Sequence, residues 1–383
     1  MIAILSNGAS AMSFDVLIVG AGIVGTACAF EFAAAGLSVG VIENDVVGSG
    51  ATAAGMGHIV VMDDSEEQLH LTRYSQMLWD TLVQEAPEQH EYFRCGTIWI
   101  AADEEEMQAV SPKHAFYSQH GIPSEILDAS QLYALEPHLS PGLAGGLLVP
   151  GDSVVYPPRS AAFLLKRASE YGARLLKGTA TRLVPGGVQL ADGQIVQGGA
   201  VVIANGAHVR ELAPEVPCRP KKGHLVITDR YPDFIRHQLV ELGYIKNAHA
   251  SSGDSVSFNV QPRSTGQLLI GSSRQFDIES SAIDYAILSK MLARALDYLP
   301  GLAQLSCIRT WTGLRAATPD GLPLIGPHPS RSGVWLATGH EGLGITTSLG
   351  TARLLAAQML ARTPEIPIEP YLPSRVLQEV KHA

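Results

Sequence analysis

Residues 14–19 form a short run, apolar but for Asp15, between a polar neighbour and a glycine turn. A run of that length without alternation is the pattern of a strand buried on both faces. Small and apolar residues then predict a helix over 23–35, which Gly36 terminates. Residues 38–42 read as a second buried strand ending on Glu43, which completes a β-α-β unit of about 30 residues. Leu69, Tyr74, Leu78 and Leu82 recur near helical spacing and predict a helix over 66–85.

From 88 to 150 the pattern changes to short strands and turns, with strands at 96–101 and 145–149. A helix over 157–171 follows, then strands at 173–177 and 188–190. Ala191-Asp192-Gly193 is a hairpin turn, and 199–204 is another buried strand ending at Asn205-Gly206. Residues 217–310 return to strands (223–228, 256–261 and 267–271) with one amphipathic helix over 283–299. A glycine-rich turn at 339–344 and a helix over 348–361 close the pattern. Two characters therefore alternate. Segments 13–87, 151–216 and 311–383 suit one α/β, Rossmann-like nucleotide-binding domain. Segments 88–150 and 217–310 suit a second, mixed-sheet substrate domain inserted in the chain. A length of 383 residues is ample for both.

Composition narrows the chemistry. A net charge of −10 without a basic stripe argues against a nucleic-acid partner. Cys28, Cys95, Cys218 and Cys307 are widely spaced and form no CxxC pair, so neither a disulfide framework nor a metal or iron–sulfur ligand set is expected. That usage suits a reducing cytoplasm. Residues 1–11 lack the basic start of a signal peptide, and no run reaches the roughly 20 apolar residues of a membrane span. Peripheral contact with an inner membrane stays open.

The loop Gly20-Ala21-Gly22-Ile23-Val24-Gly25 follows the first strand and opens the first helix. Its glycines let the backbone approach a pyrophosphate, and the helix N-terminus supplies free N–H groups and positive dipole. Glu43 would accept hydrogen bonds from a ribose diol and repel a 2′-phosphate. The loop and Glu43 leave FAD and NAD both open. The small-residue run 47–57 then favours FAD, because it can lie along a flat ring and a ribityl chain where an NAD fold would enter its next helix.

Four blocks carry a family resemblance: 15–43, 48–57, Val201 to Ala207 with Lys222-Gly223-His224, and 311–350. The last contains Trp311-Thr312-Gly313-Leu314-Arg315, Thr318-Pro319-Asp320-Gly321 and Gly339-His340-Glu341-Gly342-Leu343-Gly344. The chain resembles the D-amino acid oxidase superfamily, in the branch of glycine oxidase, sarcosine oxidase and D-amino acid dehydrogenase. The stretches 258–263 and 269–276 look similar to the β subunits of D-hydroxyproline dehydrogenase and opine oxidase. The resemblance implies FAD between two domains and oxidation of the C–N bond of an amino or imino acid, D-hydroxyproline first. A self-sufficient glycine, sarcosine or D-amino acid oxidase producing hydrogen peroxide is the alternative.

It further implies that an oligomer passes electrons to a partner subunit or a membrane acceptor. Arg315 would grip the substrate carboxylate, with Tyr244 and His340 as further catalytic candidates; Tyr156, His58 and His224 are weaker ones. Cofactor contacts are expected from Gly20, Ala21, Gly22, Ile23, Val24, Gly25, Glu43 and Asn44. Ser49, Gly50, Ala51, Thr52, Gly55, Met56 and Gly57 follow, with Thr181, Asn205 and Gly206. Gly339, His340, Glu341, Gly342, Leu343, Gly344 and Ile345 complete the set. The positions where related enzymes attach flavin covalently lack the cysteine and histidine needed, and the sarcosine-type lysine is replaced by Thr346, so non-covalent FAD and a carboxylate held mainly by Arg315 are expected.

Overall fold

The computed structural model describes residues 13–243 and 253–377. Ser13–Val19 and Val39–Glu43 pair in parallel, with Leu17 opposite Gly40 and Val19 opposite Ile42. A Cβ on Gly40 would lie 2.8 Å from Cδ2 of Leu17, so the glycine lets large apolar side chains close over the second strand. The first sheet runs Leu324–Pro327, Val334–Thr338, Ile195–Ile203, Ser13–Val19, Val39–Glu43, Arg174–Lys177, with a hairpin extension off Ile195–Ile203. Its four central pairings are parallel, as a sheet covered by helices requires.

Three helices cover one face of this sheet. Ile23–Ala34 packs between Pro157–Glu170 and Gly344–Met359, burying Ala27, Phe32, Leu164 and Leu355. Glu66–Val83 lies against Gly344–Met359, where the buried Trp79 indole donates to the carbonyls of Ile345 (3.1 Å) and Thr346 (3.0 Å). These bonds fix where the last helix begins.

The second sheet runs Cys307–Ala317, Arg219–Arg230, Gln267–Phe276, Ser255–Pro262, Gln238–Glu241, Thr97–Ala101, Gly145–Val149, Glu125–Asp128. Its own core gathers Ile98, Val226, Phe258, Val260 and Met291 against the helix Tyr285–Tyr298. The two-sheet α/β architecture agrees with the sequence pattern. Cys307–Ala317 pairs along its length with Arg219–Arg230, so Trp311 to Ala317 sit in the second sheet with the 217–310 segment.

Three elements differ from expectation, one of them the helix Ala129–Leu135 in the stretch 88–150 read as strands and turns. Glu104–Gln119 is a helix in a stretch read as strands and turns. Asp103 caps it, but its buried residues are only Val110, Lys113 and Tyr117, and Pro112 interrupts it, so it shows no apolar stripe. The last helix starts at Gly344 rather than 348. Thr347 donates to the Leu343 carbonyl and Ser348 to that of Ile345, which absorbs hydroxyls that otherwise disfavour a helix interior. Among the described residues no helix is long and apolar enough to cross a membrane.

Candidate active site

The glycine loop is held shut by its own backbone. A Cβ on Gly25 would meet the Gly20 carbonyl oxygen at 2.0 Å, and Gly20 itself has φ +105°. Glu43, buried at the end of its strand, accepts from the Ala21 N–H through Oε2 (2.7 Å) and from the Asp45 N–H through Oε1 (2.8 Å). The carboxylate is thus pinned across the loop it was expected to accompany. The helix Ile23–Ala34 begins on Gly22 without a side-chain cap, and Thr52 Oγ1 accepts from the Ile23 N–H (2.9 Å). Gly344–Met359 also begins without a side-chain cap. Both N-termini open on one continuous cavity.

That cavity has a volume of about 840 Å³. Glu43 and Asn44 line it, as do Gly20, Gly22, Ile23 and Val24. Ser49 to Thr52, Gly55 to His58, Asn205 and Gly206 line it too. So do Gly223, Leu225, Asn259, Ser272, Arg274, Arg315 and the turn of His340, Glu341, Gly342, Gly344 and Ile345. Residues nearly 300 apart in sequence therefore share one wall.

Arg315 crosses the strand Arg219–Arg230: its Nη1 donates to the Ser273 carbonyl (3.3 Å). Gly223 lies beneath it, where a Cβ would be 2.7 Å from Nη2. Beside it Lys221 forms an ion pair with Glu341, both largely buried. Burial alone would raise the Glu341 carboxyl, but Lys221, Arg274 and Arg315 outweigh it and hold it below its ordinary value. Burial depresses Lys221, and the two arginines add to that against the pull of Glu341.

The histidines separate by their partners. His340 faces the cavity, yet its Nε2 bonds Thr351 Oγ1 (2.9 Å) and burial holds it at a pKa of about 4. It is a neutral, anchored ring rather than a proton shuttle. His58 lines the cavity and is also held at about 4, first by burial and further by Arg315, against a raising contribution from Gln261. His224 sits outside the lining, between Ser273 Oγ (2.9 Å) and the Asp284 N–H (3.0 Å).

Several expected contacts lie elsewhere. Thr181 does not line the cavity; its hydroxyl donates to the Gln189 carbonyl at the surface, and Gly178, Thr179 and Ala180 line it instead. Ala21, Gly25 and Gly339 shape the walls from behind, and Leu343 packs against the neighbouring core. Tyr156 lies under the Arg263 guanidinium, 4.4 Å from its ring centre, away from the cavity. Tyr244 falls outside the described residues. Arg274, Ser272 and Asn259 also line the cavity; they fall in the stretches 258–263 and 269–276 that carry the resemblance but had no expected site role, although alternation along 267–276 places Ser272 and Arg274 on one face.

A cavity lined by a glycine loop, a pinned acid and an arginine is matched by comparison. The family of FAD dependent oxidoreductases covers residues 15–358. The chain belongs to that family. Glycine oxidase of Pseudomonas aeruginosa is 30% identical, over 95% of this chain and 99% of its own. D-amino acid dehydrogenase of Xylella fastidiosa is 28% identical, over 80% and 70%. The crystal structure of glycine oxidase from Geobacillus kaustophilus superposes with a TM-score of 0.85 at 28% identity, covering 95% of this chain and 99% of that one.

The flavoenzyme's own residues fit the cofactor. The glycine backbone and two uncapped helix N-termini suit the pyrophosphate and the electron-rich ring, and the cavity falls within the roughly 300–1,000 Å³ of cofactor pockets.

Buried neutral imidazoles also set a pH dependence. His58, His90 and His340 are each held at about 4, below the ordinary 6.5, chiefly by burial. Between those values the unfolded chain binds more protons, so stability falls as pH drops from 6.5 to 4. Asp152 opposes this: burial raises it to about 7, so its contribution is lost as pH rises through the same window. Thermal unfolding of His90→Gln across this window is expected to show a pH slope smaller by about one proton. An unchanged slope would mean that His90 is charged in the fold.

Proposed function

We propose that this flavoenzyme oxidises the C–N bond of an amino or imino acid whose carboxylate is gripped by Arg315. The observation that carries the proposal is the Arg315 guanidinium, seated on Gly223 and lining the same cavity as Glu43 and the glycine loop. Bound in this cavity, FAD supplies the acceptor for the hydride, and thus both electrons, that leaves the substrate α-carbon as the amine nitrogen loses a proton, giving an imine that water hydrolyses.

The protein's part is positioning. A guanidinium fork fixes the carboxylate and with it the α-carbon. The cations of Lys221, Arg274 and Arg315 favour the neutral amine from which hydride leaves readily. Neutral His58 is one cavity-lining group able to accept a proton. The N-terminus of Gly344–Met359 offers N–H groups and positive dipole to negative charge on the ring edge. No cysteine lines the cavity among the described residues, which supports non-covalent FAD. Burial pushes the Cys28, Cys95 and Cys218 thiols up to about 12, so they are inert packing groups.

D-hydroxyproline is the first imino acid to test, on the strength of the resemblance; glycine, sarcosine, D-amino acids and opines follow. We place electron transfer to a partner subunit or membrane acceptor, within an oligomer and in the cytoplasm or at its membrane face. Turnover with an artificial acceptor, compared with peroxide formed under air, tests this. Dye-linked rates far above the peroxide rate are expected; equal rates would make the enzyme a self-sufficient oxidase.

A further inference from the structure

Outside the flavin cavity, two helices bring three metal-binding side chains together. Ser65 caps the helix Glu66–Val83, its hydroxyl accepting from the Gln68 N–H (3.1 Å), and so sets Glu66 and His70 one turn apart. Residues at that spacing share a helix face, and His70 Nε2 lies 3.9 Å from Glu66 Oε1. His120 follows the last turn of Glu104–Gln119, where its Nδ1 donates to the Phe116 carbonyl (2.8 Å). A carbonyl can only accept, so that bond holds the proton on Nδ1 and leaves the lone pair on Nε2. One ligand atom from each of Glu66, His70 and His120 lies within 4.8 Å of the others, the only such trio among the described residues. None of the three lines the flavin cavity, and no cysteine takes part.

Buried contacts fix the approach of the two helices. Asp63 accepts from the Tyr117 hydroxyl (3.1 Å) and is paired with Lys113, both on the second helix. Leu69, beside His70, and Ile122, just past His120, join one apolar core with Val110 and Tyr117. Phe116 packs on the His120 ring, with centroids 4.4 Å apart.

We propose that Glu66, His70 and His120 bind one divalent transition-metal ion, zinc by ligand type, as a clasp between these helices. Two imidazoles and one carboxylate suit Zn²⁺, whereas Mg²⁺ and Ca²⁺ call for oxygen ligands. Bonds of about 2.0–2.2 Å would draw the ligand atoms inward by about 1 Å each, a matter of side-chain torsions at a partly exposed site. The fourth tetrahedral position is left for water. The Arg73 guanidinium lies beside Gly121, where a Cβ would be 3.4 Å from Nη2, and the Glu66 carboxylate offsets that charge. Glu66–Val83 also carries Trp79, so the ion braces the helix that anchors the start of Gly344–Met359.

Zinc chloride titrated calorimetrically into the tag-free, metal-stripped, FAD-loaded enzyme makes the test. About one ion per chain is expected, with a melting temperature that rises with zinc concentration and ignores magnesium. His70→Ala and His120→Ala should each weaken binding by roughly 100-fold, and Glu66→Gln by roughly 10-fold. All three side chains are at least partly exposed, so the variants should keep their flavin spectrum. A wild type that takes up no zinc would overturn the proposal, whatever the variants do. So would equal binding by the double variant His70→Ala/His120→Ala, which would place the ion on other groups.

Discussion

Replacing Arg315 by alanine is expected to lower kcat/KM for the substrate by about 10²-fold, mostly through KM, with FAD still bound. The size follows from removing one partner of a desolvated charge pair, which costs roughly 2–5 kcal/mol. Retention of FAD follows from place. Arg315 belongs to the second sheet, and its hydrogen bond runs to Ser273 of that same sheet rather than to the glycine loop. Steady-state kinetics with the flavin spectrum of the purified variant check both halves. Loss of flavin with unchanged KM in the remaining holoenzyme would make Arg315 a scaffold residue.

Gly25→Ala should act on the glycine loop and yield protein purified almost without flavin. The new methyl carbon would lie 2.0 Å from the Gly20 carbonyl oxygen, which is backbone and cannot rotate away. The loop must open, and with it the N–H groups aimed at the pyrophosphate. Overpacking a rigid contact costs roughly 3 kcal/mol or more, enough for about 10²-fold weaker FAD binding. Gly36→Ala is the control. It ends the same helix with φ +91°, but its Cβ would meet nothing within 4 Å. Strain there should cost about 1 kcal/mol and leave the bound flavin in place. Equal flavin content in the two variants would contradict the loop's assigned role.

The cofactor loop was legible because local rules govern it. A mostly apolar strand, a glycine turn and an acid at the next strand end are each visible within about 30 residues. The late turn was legible only through resemblance, since nothing local brings residue 340 to residue 22. Arg274 was hidden for a different reason. Its strand reads Gln267–Phe276 with polar residues on both faces from Ser272 onward, so alternation alone cannot say which face meets the cavity. Sheet pairing decides it: the neighbouring Gly223 leaves space that any other side chain would fill. Thr181 shows the converse, a polar residue in the right segment whose strand turns it outward. The helix Glu104–Gln119 escaped because Lys113 and Tyr117 bury themselves against Asp63, an interaction that apolar periodicity does not register.

Anaerobic mixing of the FAD-loaded enzyme with amino and imino acids tests the central claim most directly. An amine with an α-carboxylate should bleach the flavin in a single exponential phase, with release of the corresponding oxo acid or imine. The amine lacking the carboxylate should not. A flavin that no amino or imino acid, D-hydroxyproline and opines included, can bleach would contradict the assignment of this cavity to C–N oxidation.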